Sequence, residues 1–372
     1  MVPIFFVVSG CSLSLKPLLQ IHREDWQGFA TIVSSVTFRR AFRLFLPSAA
    51  VSFVAMLFTQ MGIYSHLYPF MDGNSHEIHP PPNLHDIGTQ FIDWLNWVTT
   101  RLLYSDDIFK PLSWATVSSY GFQLWTISTE FYASIALFIT LVGLAPLGVW
   151  KRHSLVFCLC CFAFYLERWD IACFIAGMSI TELFIQPKKP NKKRYEPMPI
   201  GLPTFKKDRT LASCRLKFRQ YVYALLFAAG LFIASYSPRQ ASENFIYRHF
   251  SAMVDDYRFW ESMGAIFMVI SSSQLEFVRK LLNSALSRYL GKVSYSSYLT
   301  HVVFLNVFGW KVFPWVWEFT GDEEWWGHQG GFAIGLVICS FLEFWIADLW
   351  MRAVDEPCVI FAKRVEEWAT AK

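Results

Sequence analysis

The sequence predicts an all-α fold, a polytopic transmembrane helical bundle of about nine spans. Three observations predict it. Of the 372 residues, 54% are hydrophobic and only 17% charged, against about 25% charged in a typical soluble domain. The apolar residues form long stretches separated by short charged ones, which suits a chain surrounded by lipid. The basic residues fall mainly on one side of the resulting topology, as a bilayer requires.

The apolar stretches lie at 2–18, 44–66, 119–147, 153–166, 171–187, 220–236, 258–275, 290–310 and 330–350. About 20 residues cross the hydrocarbon core as a helix. The first stretch begins at Met1, with no basic leader before it and no small-residue cleavage site after it, so it reads as a retained helix and not as a signal peptide. The fourth and fifth are short and are split by Glu167-Arg168-Trp169-Asp170. Those charges are costly in mid-bilayer, so a tight hairpin turn is expected there, with one re-entrant unit as the alternative.

Charge sets the orientation. With the N-terminus outside and helices alternating, the cytosolic segments are 16–43, 148–152, 188–219, 276–292 and 351–372, and they hold 26 of the 33 Lys and Arg. This is the positive-inside bias. It places the C-terminus in the cytosol, with the endoplasmic reticulum and the plasma membrane equally open.

The whole chain, 1–372, reads as one integral-membrane domain with two large loops. Segment 67–117 faces the lumen or exterior and carries His76, His79 and His85, with His66 at its edge, beside Pro80-Pro81-Pro82. It reads as a folded cap or flexible loop, and its histidines show no metal-ligand spacing. Segment 188–219 is strongly basic: Lys188-Lys189, Lys192-Lys193-Arg194, Lys206-Lys207, Arg209, Arg215, Lys217 and Arg219. Tethered between membrane helices, it is expected to meet anionic headgroups of the lipid bilayer rather than nucleic acid. Most of the eight Cys lie in apolar stretches and read as small apolar side chains. Neither a metal nor a required disulfide is expected.

Three segments carry chemistry. In Arg39-Arg40-Ala41-Phe42-Arg43-Leu44-Phe45-Leu46-Pro47, Arg39 and Arg40 stand four and three residues before Arg43 and share its helix side. They either flank a span as positive-inside charge or clamp the phosphates of a cytosolic donor, since guanidinium groups match phosphate geometry. Pro47 reads as a first-turn proline, which a helix tolerates. In Trp125-Thr126-Ile127-Ser128-Thr129-Glu130-Phe131-Tyr132, Glu130 lies in an apolar helix and must face protein or water. It either bonds helices together or serves a hydroxyl or a base. In Gly291-Lys292-Val293-Ser294-Tyr295-Ser296-Ser297-Tyr298-Leu299-Thr300-His301, Ser294, Ser297, Tyr298 and His301 form a polar stripe at helical spacing. The stripe either joins helices by hydrogen bonds or lines a substrate path, and His301 is a candidate general base near neutral pH.

In order along the chain, these segments resemble the motifs of the membrane acyltransferase type 3 family, whose members move acyl groups onto sugars or other hydroxyl-bearing molecules. Val2-Pro3-Ile4-Phe5-Phe6-Val7-Val8-Ser9-Gly10 resembles the family's second-helix motif. Residues 39–47 resemble its arginine-rich entry to the third helix, 125–132 its tryptophan-serine-leucine…glutamate…phenylalanine-tyrosine motif, here with Thr126 and Ile127, and 291–301 its glycine-lysine-x-serine-tyrosine…tyrosine-leucine…histidine motif. Asp355-Glu356-Pro357 is a weaker fifth match. The long irregular loops and many Trp and Cys look fungal.

The resemblance implies an acyltransferase that takes acyl-CoA, acetyl-CoA in particular, as donor cosubstrate with no bound cofactor. Its acceptor would be a hydroxyl of a small molecule or glycan: a sugar, a lipid or a secondary metabolite. Arg39, Arg40 and Arg43 would hold the donor's anionic part. Glu130 and His301 would be the catalytic side chains present, and Trp125, Tyr132, Ser294, Tyr295 and Tyr298 would line the cavity. The family also has an earlier helix carrying its essential His. Nothing here matches that helix, so a gene model shortened at its 5′ end is expected. A catalytically inactive member and a membrane transporter are the alternatives.

Overall fold

The computed structural model describes residues 2–65, 81, 83–103, 120–185, 211–236, 248–249, 252–254, 256–321 and 324–371. Helix dominates, and no strand occurs among the described residues. The helices are α1 (Val2–His22), α2 (Trp26–Gln60), α3 (Ile87–Trp97), α4 (Trp125–Leu144), α5 (Val149–Tyr165), α6 (Trp169–Phe184), α7 (Leu211–Ala234), α8 (Tyr257–Ser272), α9 (Glu276–Leu282), α10 (Ala285–Phe304), α11 (Trp310–Thr320), α12 (Trp325–Trp350) and α13 (Glu356–Thr370). Three π-helical turns, Val98–Leu102, Leu305–Gly309 and Met351–Asp355, follow α3, α10 and α12. Helix thus occurs at each of the nine predicted positions. Among the described residues, five stretches are by length and composition long and apolar enough to cross a bilayer: Val2–His22, Trp26–Gln60, Phe122–Leu144, Ala285–Thr320 and Trp325–Thr370.

The chain divides into two compact units. The first comprises residues 1–34 and 132–284. In it α1 packs along α6, α5 packs on α6, and α7 packs on α8. Small residues set the closeness of these contacts. A Cβ on Gly10 would come within 2.2 Å of the Phe174 carbonyl oxygen, and one on Gly177 within 2.3 Å of the Val7 carbonyl oxygen. Backbones in lipid approach this closely only where side chains are minimal. The glycine that ends the Val2-to-Gly10 motif therefore has a packing role. Phe6 adds a stack on Trp169 at 5.3 Å.

The predicted hairpin is present between α5 and α6. Glu167 takes the left-handed conformation at φ 58°. The buried Arg168 and Asp170 neutralise each other through two parallel bonds, Nε to Oδ1 at 2.8 Å and Nη2 to Oδ2 at 2.6 Å. This bidentate geometry is the strong form of such a pair. The basic loop from 188 to 210 lies outside the described residues. Its last predicted residues, from Leu211 on, already belong to α7.

The second unit comprises residues 35–131 and 285–372. Its apolar core gathers Leu44, Val51, Met56, Trp97, Val98, Leu102, Leu124, Ile127 and Leu299. Helices α10 and α11 pack on α12. Inside the 67–117 segment stands the amphipathic α3, started by an Asp86 cap whose carboxylate accepts from the Thr89 N–H. Trp94 of α3 donates to Ser52 Oγ at 3.0 Å and meets Phe53 edge-on. Its neighbour Gln90 bonds the Tyr120 hydroxyl, which bonds Asp93 in turn. His66, His76 and His79 lie outside the described residues.

Candidate active site

Helix α2 runs 35 residues, about 52 Å at 1.5 Å per residue. This corrects the reading of Pro47. It is not in a first turn but deep inside α2. A mid-helix proline has no N–H for the carbonyl four residues earlier, here that of Arg43. The hydroxyl of Tyr295 on α10 donates to that carbonyl at 3.3 Å and to the Leu44 carbonyl at 3.0 Å. The proline of one motif and a tyrosine of another are thus joined through one backbone group.

The three arginines part company around this point. Arg40 Nη2 donates to Glu130 Oε1 at 2.6 Å, with both side chains buried, 10% and 6% exposed. Arg40 Nε is buried with no hydrogen-bond partner among the described residues. Arg39 Nε turns instead to Glu366 Oε2 at 3.1 Å. Arg43 is exposed, near enough to Glu130 and Asp355 to interact with both. A buried carboxylate in an apolar helix needs such company. Glu130, Arg40 and Arg43 therefore form one charged cluster on α2 and α4.

The stripe on α10 is tied to the start of α4. Tyr298 Oη lies 2.5 Å from Thr126 Oγ1 and also donates to the Gln123 carbonyl. Gln123 Nε2 returns a bond to the Leu299 carbonyl at 3.1 Å. Trp125, Tyr295 and Tyr298 all pack against the apolar core of this unit. His301 Nδ1 lies 2.7 Å from the Tyr298 carbonyl and 3.2 Å from that of Ser297. Carbonyls only accept, so Nδ1 carries the proton and Nε2 the free lone pair of the neutral ring.

Ser294 and Tyr132 are the other two predicted lining residues. Ser294 is exposed and bonds the Gly291 carbonyl of its own helix. Tyr132 falls in the first unit. Sequence reading also passed over groups that the structure makes prominent. Glu343, set in an apolar run of α12, accepts from Thr300 Oγ1 at 2.8 Å. In the first unit Glu182 of α6 receives Arg152 Nη1, with His22 Nε2 at 3.4 Å. Both glutamates were findable by the rule that singled out Glu130, an acid inside an apolar run.

Comparison with known proteins decides the family. A family model for an acyltransferase domain, type 3, matches residues 1–345. The chain belongs to the acyltransferase type 3 family. Similar acyltransferases come from fungi. The O-acetyltransferase PaAT-1 of Phomopsis amygdali is 27% identical over 333 residues, 82% of this chain and 62% of that protein. The acyltransferase clz18 of Cochliobolus lunatus is 25% identical, over 68% of this chain and 51% of its own length. The acyltransferase R4 of a Phoma species is 24% identical, over 95% and 78%. The chain therefore spans half to three fifths of the first two of these acyltransferases. No solved structure matches it significantly. Membership accounts for the membrane-type helices and for the ordered motifs of the acyltransferase sequence.

Proposed function

We propose that this family member transfers an acyl group, acetyl in the simplest case, from acyl-CoA to a hydroxyl group at a membrane of the endoplasmic reticulum or cell surface. The buried Arg40–Glu130 pair beside exposed Arg43 carries this reading. The pair fixes a guanidinium where lipid would otherwise exclude it, and Arg43 remains for phosphate.

In the reaction the acceptor oxygen forms an ester bond to the acyl carbon as the thioester C–S bond breaks. The hydroxyl proton leaves to a base, and the thiolate becomes CoA thiol. The developing negative charge on the thioester oxygen needs a fixed donor, and the spare Arg40 Nε–H is of the right kind. Glu130 holds Arg40 in orientation. The share of Arg40, Arg43 and Glu130 is donor holding, orientation and charge stabilisation. The Phomopsis relative is named as an O-acetyltransferase, which supports an oxygen acceptor.

The test is release of CoA thiol from acetyl-CoA by the full gene product in nanodiscs, with donor binding measured separately. Glu130→Gln should lower turnover at least 100-fold with donor binding retained. Arg43→Ala should raise the donor Kd about tenfold. Unchanged turnover in the first variant would remove the pair from the site.

A further inference from the structure

The C-terminal helix α13 lies against the arginine-bearing part of α2. Arg39 Nε stands 3.1 Å from Glu366 Oε2, and Phe42 meets Phe361 edge-on at 6.1 Å. At its start Glu356 Oε1 faces Lys292 Nζ of α10 at 3.3 Å. Of the 15 residues of α13 only Ala362 is buried. So few buried contacts put a helix at the low-stability end of a fold.

The Arg39–Glu366 pair is itself weak. Its side chains are 33% and 22% exposed, against 10% and 6% for Arg40 and Glu130. Arg39 Nε gives its hydrogen bond to the Ser35 carbonyl of its own helix at 3.3 Å. Glu366 is therefore held by charge and not by a bidentate fork. Exposed pairs contribute little to stability, whereas opening the buried pair strands a charge. Arg39 is exchangeable where Arg40 is not.

We infer that Glu366 is a place-holder on the donor's anion site, displaced from Arg39 by the 3′-phosphate of CoA when the donor binds. The inference rests on the proposed reading in which these arginines hold acyl-CoA. A phosphate monoester carries about −1.5 to −2 charges and three acceptor oxygens, more than a carboxylate offers. Each phosphorus of the CoA diphosphate carries a single charge, as a carboxylate does, and has no such advantage. Arg39 and Arg43 are four residues apart on one helix, about 6 Å along its axis, so they can grip separate phosphates of one molecule. A helix with one buried residue yields to the incoming phosphate and returns to α2 when CoA leaves.

The experiment is calorimetric titration of CoA, and of dephospho-CoA, which lacks the 3′-phosphate, into the full gene product in nanodiscs. Glu366→Gln should lower the Kd for CoA about threefold, the strength of an exposed pair, and leave that for dephospho-CoA unchanged. Arg39→Ala should weaken CoA binding and erase the effect of Glu366→Gln. Glu367→Gln, which removes the same charge from the exposed neighbouring position, should change neither. Saturating CoA should speed amide exchange over residues 356–370. Weaker CoA binding in Glu366→Gln would make the acid a positioning residue for Arg39 and overturn the inference. An equal gain for both ligands, or in Glu367→Gln, would be a plain field effect and would overturn it too. Unchanged CoA affinity in Glu366→Gln sinks the place-holder alone if Arg43→Ala still raises the donor Kd. CoA affinity unmoved by Arg43→Ala would sink the inference and the proposed function together.

Discussion

Tyr295 supplies the hydrogen bond that Pro47 withholds from the Arg43 carbonyl. The two residues are 248 positions apart in the chain, yet each explains the other. Tyr295→Phe should therefore destabilise by about 1 kcal/mol, the usual net worth of one hydrogen bond. Pro47→Ala restores a backbone donor to the same carbonyl. In the double variant the tyrosine should matter less, with a coupling of about 1 kcal/mol in a thermal-unfolding cycle. Strict additivity would show that the tyrosine acts elsewhere.

The Arg40–Glu130 pair should separate structure from chemistry. Removing either partner strands a buried charge, which costs about 3–5 kcal/mol. Replacing both, as Arg40→Met with Glu130→Leu, should recover most of that loss in a melting assay. Acyl transfer should stay absent in all three variants. Activity in the apolar double variant would reduce the pair to a helix clasp.

Close packing of α1 on α6 gives a prediction independent of function. Gly10→Val would force a side chain into the Phe174 backbone and should cost about 1–3 kcal/mol, as overpacking does. Gly143 on α4 has open space around its Cβ position, so Gly143→Ala should leave the melting temperature unchanged or slightly raised. The contrast between the two is the measurement.

Outside the spans, Asp86 caps α3. Its hydrogen bonds from Thr89 hold its carboxyl below the usual carboxylate range. The folded pKa being lower than the unfolded one, the cap stabilises α3 fully above the ordinary carboxylate pKa. That contribution falls as pH drops towards the folded value and is gone below it. Amide exchange in residues 87–97 should thus accelerate in acid beyond the intrinsic pH trend. In Asp86→Ala the extra acceleration should vanish.

Much of this could be read from residues alone because lipid makes the pattern severe. Long apolar runs located helices at all nine positions, and the acid in an apolar run flagged Glu130 correctly as a residue needing a partner. The partner itself was not legible, since helical spacing relates Arg39, Arg40 and Arg43 to one another but not to α4. That Arg39 turns to Glu366 and Arg40 to Glu130 depends on tertiary packing. Helix α3 was missed because it sits in a segment opened by prolines and histidines, where loop signals outweigh an 11-residue amphipathic pattern. Glu343 carries the same signal as Glu130, an acid inside an apolar run.

The π-helical turn at Met351–Asp355 has one further consequence. A π turn holds one residue more than the α-helix on either side needs. Deleting a single residue there, Ala353 for instance, would let the backbone close as ordinary α-helix with the downstream helix kept in phase. Glu366 should then stay on the side that faces Arg39, whereas deleting Phe361 from the plain α-helix beyond would turn everything after it by about 100°. The extra residue is thus slack in the chain, a place where its length can change by one without turning the C-terminal helix.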